Sequence, residues 1–134
     1  MTNPAIVTYQ KAVIENFNFL KAAGNAQEIY QRAIPIEDQG FLLPVCDAHR
    51  HDTVLIEKLT EWRNRNVEIY PTQFTATPES TSIWLSKGLL AVSDRMLFLV
   101  TDQLGNVIGH LGLNNCINED FHFEIDNVVR GVAG

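Results

Sequence analysis

The sequence predicts an α/β chain of the α+β kind, in which helices pack on one mostly antiparallel sheet behind a helical N-terminal extension. Three observations predict it. Apolar residues recur at helical spacing from Ile6 to Leu20. Between Leu97 and Leu113, two β-branched and aromatic runs flank a Gly105-Asn106 turn, the pattern of a β-hairpin. From Phe121, a further run alternates Phe123, Ile125 and Val129 with Glu124 and Asp126, which is strand periodicity.

Taken in order, Asn3-Pro4 supplies an N-cap and a proline for the first helical turn, and Ile6, Tyr9, Val13, Phe17 and Leu20 form the apolar stripe of a helix closed by Gly24. Asn25-Ala-Gln-Glu28 has the form of a capping box and opens a second short helix, which must end near Pro35. Phe41-Leu-Leu-Pro-Val45 reads as a short strand, with Pro44 placing it at an edge or a bulge. A helix carrying Leu55, Leu59 and Trp62 follows. Thr77-Pro78-Glu79 then caps another, with Ile83, Trp84 and Leu89 as its apolar content. Three consecutive strands complete the order. A weak break at residues 35–40 divides the chain into an extension, 1–36, and a domain, 40–134.

Composition narrows the function. With 134 residues, 46% of them hydrophobic, the chain can bury the core of a single soluble domain. A formal net charge of −6 argues against a nucleic-acid surface, which needs clustered Lys and Arg. No run reaches the length of a membrane span and the N-terminus lacks the order of a signal peptide, so the expected location is cytoplasmic. Cys46 and Cys116 show no metal-type spacing and read as buried thiols rather than a disulfide. His49 and His51 could share one side of an extended segment, but with no further ligand at suitable spacing the expectation is no metal.

From Phe41 onward, the sequence resembles the GNAT superfamily of N-acetyltransferases, in the branch that acts on protein N-termini, amino acids and amino sugars. The residues that carry the likeness are Leu42-Leu-Pro-Val45, the helix ending in Trp62-Arg63-Asn64, the Thr77-Pro-Glu79 helix with Trp84, the hairpin with Val107-Ile-Gly-His-Leu-Gly112, and Phe123-Glu-Ile-Asp-Asn-Val-Val-Arg-Gly131. The likeness implies an enzyme that moves an acetyl group from acetyl-CoA, its co-substrate, to a primary amine: an amino sugar, or the amine of a peptide. It also implies a further Gly-rich loop and helix for the pyrophosphate. These lie beyond Gly134, so the expectation is the N-terminal half of such a domain, and weak binding of acetyl-CoA by this chain.

Within that likeness each residue has an implied role. Acetyl transfer requires a neutral amine, so an ammonium must first lose its proton to a base. Glu124 is the candidate base, and a solvated glutamate on a polar strand face is its equal alternative. Asp126, two residues on, shares its face and would raise its pKa by like-charge repulsion. The backbones of Asn127, Val128 and Val129 would pair with the pantetheine arm, with Arg130 and Gly131 leading toward the phosphates. Arg63, Asn64 and Phe74 would line the acceptor cleft, although Arg63 also suits the helix C-terminus. Trp62, Trp84 and His110 read as structural. The competing expectation is a catalytically incompetent half-domain that serves as an interaction module or needs a partner chain. Its uncovered last strand would then drive homo-oligomerisation.

Overall fold

The computed structural model of the chain describes residues 4–65, 75–114, 116 and 124–130. Expectations that rest on Asn3, Phe74, Phe121, Phe123 and Gly131 lie outside these residues. The chain folds as an α+β protein whose five-stranded sheet has the order β1-β2-β3-β4-β5, each strand antiparallel to its neighbour.

Helix α1, Pro4–Lys21, presents the predicted stripe, with Phe17 buried and Val13 and Leu20 beside it. Helix α2, Ala26–Gln31, starts at Asn25, whose Oδ1 accepts the Glu28 N–H at 2.9 Å, while the Glu28 carboxylate reaches back to the Gly24 N–H at 3.3 Å. The capping box therefore closes one residue earlier than its usual form. Strand β1, Ile34–Ile36, was not legible in the sequence, since three residues centred on Pro35 carry no strand period. It pairs with β2, Gly40–Pro44, so the expected boundary between residues 36 and 40 falls inside a β-hairpin.

Pro44 sits in an interior strand without cost. The next N–H, that of Val45, donates to Leu97 at 2.9 Å, so the missing donor at Pro44 faces the opposite side, where β1 already ends at the Ile34–Leu42 pair. At Gly40, φ is 153° and a Cβ would run into the Thr101 carbonyl, so β2 and β3 approach closely only because no side chain is present.

After a 3-10 turn at Asp47–His51 come α3, Thr53–Arg65, and α4, Pro78–Ile83. Thr77 caps α4 with Pro78 in its first turn, as the sequence indicated, and Ser80 completes the box. The helix continues as a π-helical stretch from Trp84 to Leu90. Gly88 lies against Trp84 there, with 3.1 Å from an added Cβ to the indole edge. Strands β3, Met96–Asp102, and β4, Val107–Asn114, form the predicted hairpin, and β5, Glu124–Arg130, completes the sheet. In the turn, Gly105 has φ of 86°, and the Asp102 carboxylate accepts from the N–H groups of Leu104 and Asn106 and from the Asn106 amide. These donors, the Asn106 side chain first, hold the Asp102 carboxyl below its usual range.

The sheet is covered on both faces. Leu97 and Leu99 of β3 pack with Leu43, Leu55, Leu59, Trp62, Leu85, Leu89 and Val129 under α3 and α4. Met96 and Phe98, alternating with them, pack with Phe17, Val13, Leu20, Leu111 and Leu113 under α1. Ala23 and Ile29 of the N-terminal segment belong to the first cluster, which ties that segment to the sheet. Lys21 ties α1 to the end of the π-helical stretch: its buried ammonium donates to the carbonyls of Leu89 at 3.1 Å and Val92 at 2.6 Å. Burial pulls its pKa down to about 8, with Asp94 opposing the shift.

Candidate active site

The implied site residues divide between β5 and the α3–α4 junction. Along β5, the ladder with β4 pairs Asn114 with Glu124, Leu113 with Ile125, Gly112 with Asp126, His110 with Val129 and Gly109 with Arg130. Asn127 and Val128 together face Leu111. This two-against-one count is a β-bulge, which bends the strand and removes backbone groups from the ladder. It also breaks the alternation read in the sequence. By strict period two, Ile125 and Val129 would share a face, but Ile125 is 63% exposed and Val129 is 4% exposed.

Residues directly opposite in a ladder lie on one face. Glu124 stands opposite Asn114, which is two pairs along β4 from Gly112 and four from His110, so it belongs to the face that carries α3 and α4. Its side chain is exposed. Among the described residues, no strand lies on the far side of β5. Val128 is 60% exposed, and with Val100, Ile108 and Leu111 it borders an almost wholly apolar cleft of about 210 Å³ next to the bulge.

Under the helix-covered face, His110 is buried between two indoles, with its ring centroid 6.1 Å from that of Trp62 and 6.4 Å from that of Trp84. The Arg63 guanidinium stacks on Trp84 at 4.6 Å and donates to the Thr81 hydroxyl at 3.2 Å. The Thr81 and Thr60 hydroxyls are 2.8 Å apart. Asn64 forms a reciprocal pair with the Ala76 backbone, donating to its carbonyl at 2.9 Å and accepting its N–H at 2.6 Å. Both side chains thus join the end of α3 to the start of α4. A groove of about 460 Å³ runs between these helices, and Ile56, Pro78 and Ile83 line it with the carboxylates of Glu57 and Glu79.

The bulge is a feature that the sequence reading did not assign, whereas His110, read as structural, is buried. Gly109 and Gly112, which flank His110 in β4, were the available signal for close backbone approach. Cys46 and Cys116 are free and buried, and burial pushes the Cys46 thiol pKa up. Among the described residues, no three His, Cys, Asp or Glu side chains gather as a metal site. No described helix is long and apolar enough to cross a membrane. Compared with protein-family models, with curated proteins and with solved structures, the chain matches none.

Proposed function

We propose that this chain is a GNAT-type acetyltransferase domain that transfers the acetyl group of acetyl-CoA to a primary amine, with bulged β5 as the strand that takes the thioester. The observation that carries this reading is the Asn127–Val128 bulge in a strand with no second neighbour among the described residues. A pantetheine arm is a chain of amides, and an extended amide chain binds by adding to a free strand edge. A thioester carbonyl at the bulge would receive a backbone N–H as its oxygen gains charge.

In the proposed step, Glu124 takes a proton from the ammonium, directly or through water. The freed amine pair then attacks the thioester carbon, and the tetrahedral intermediate gives its surplus nitrogen proton to solvent and collapses to an amide as the carbon–sulfur bond breaks. The thiolate leaves with the electron pair and takes up a proton from solvent. Glu57 and Glu79 favour a cationic acceptor in the α3–α4 groove, such as an amino sugar or a peptide amine.

The test is thiol release from acetyl-CoA with glucosamine and with a free-amine peptide as acceptors. Glu124→Gln should lower turnover ~10²-fold or more at neutral pH while leaving KM for acetyl-CoA unchanged. Absence of thiol release with either acceptor contradicts the reading.

Exposed Ile125 and Val128 on this outer strand favour a second reading, an interaction module that pairs through β5 with another copy. Sedimentation at micromolar concentration would then show a dimer that Val128→Lys disperses. A monomer would contradict it.

A further inference from the structure

A separate cleft of about 220 Å³ lies between α2, the 47–51 turn and α3, with Leu43, Leu55 and Leu99 among its apolar walls and His49, Asp52 and Lys58 among its polar ones. His49 is 7% exposed. Its Nδ1 accepts the Cys46 N–H at 3.0 Å, so the neutral ring carries its proton on Nε2, and burial keeps the ring neutral by lowering its pKa against the pull of Asp52. Among the described residues, Nε2 has no hydrogen-bond partner, although the ring lines the cleft. Lys58, 5.9 Å above the Trp62 ring, has no ion pair or hydrogen bond among the described residues either. Asp52 is already engaged, since its Oδ1 accepts the Leu55 N–H at 3.1 Å and caps α3.

We propose that this cleft binds a small monocarboxylate with an apolar body, the carboxylate taking the His49 Nε2–H and the Lys58 ammonium, the body lying on Leu43, Leu55 and Leu99. The His49 donor and the Lys58 cation beside one apolar floor call for an acceptor; Lys58 favours a charged one while the Asp52 carboxylate in the same lining opposes it, so the preference for the acid rests on Lys58. At about 220 Å³ the space is below the ~300 Å³ from which drug-sized ligands begin, so the body is no larger than a single ring or a short chain. Such a ligand would be bound rather than acetylated, and the site is independent of β5.

Phenylacetate, titrated into the full chain and followed by the ¹⁵N shifts of the histidine rings, tests this. The expected result is a saturable shift at His49 Nε2 with a Kd of about 1 mM or tighter, and binding of neutral phenylacetamide ~10-fold weaker. Lys58→Met, a partly exposed substitution that leaves the His49 ring in place, should remove the preference for the acid. No saturable shift at His49 would overturn the proposal. Equal binding of acid and amide, or a preference that survives Lys58→Met, would overturn it too.

Discussion

Strand β3 holds Met96, Leu97, Phe98 and Leu99 at 0–4% exposure, whereas β5, whose aliphatic residues stand among charged and amide ones, leaves Ile125 and Val128 at 63% and 60%. β3 has a hydrogen-bonded neighbour on each side and a helical layer on each face. β5 has β4 alone among the described residues, and it is interrupted by a bulge. The difference teaches that apolar β-propensity does not decide what a strand does. Between two partners an aliphatic side chain becomes core; at an edge, beside a bulge, it is left on the surface.

The comparison breaks most sharply by truncation. Leu99→Ala should cost about 2–5 kcal/mol of unfolding free energy, while Ile125→Ala should stay within about 0.5 kcal/mol, as measured by urea denaturation. Equal losses would mean that β5 is as buried as β3. Removing the tie that holds the helical layer over β3 comes next. Asn64→Ala leaves the Ala76 N–H and carbonyl without their partner and should cost about 1–3 kcal/mol by the same measurement. A loss near zero would show that water replaces the amide and that the junction does not depend on it.

An electrostatic effect separates the states by pH. The folded chain releases the Lys21 proton at about 8, whereas the unfolded chain holds it to the ordinary 10.5. Between these values the unfolded state binds more protons, so stability should rise with pH, and below 8 the full penalty of the buried cation is present. Thermal melts from pH 8 to 10 should show this positive slope, absent in Lys21→Met. A flat profile in the native chain would contradict the burial argument.

The sequence was informative where a local physical signal was complete. Asn25 and Glu28, Thr77 and Pro78, and the Gly105 turn each satisfy their own backbone groups, and each element starts or turns where those residues stand. The apolar stripe of α1 was legible for the same reason. Other features needed a partner that lies far along the chain. β1 is a strand only because β2 pairs with it, and the β5 bulge exists only relative to Leu111 of β4, so period two over 124–130 misassigned Ile125 and Val129 to one face. Arg63 and Asn64 stood out as a helix-end pair, but their use in joining α3 to α4 depends on Thr81, Trp84 and Ala76, which no spacing rule connects.

The proposed function makes β5, and not β3, the strand that receives a ligand. Titrating acetyl-CoA into the ¹⁵N-labelled chain tests it most directly. Shifts should concentrate on the amides of 126–130, with the β3 amides of Leu97 and Leu99 unmoved. Saturable binding whose shifts leave 126–130 untouched would contradict it, as would the absence of any shift at millimolar acetyl-CoA.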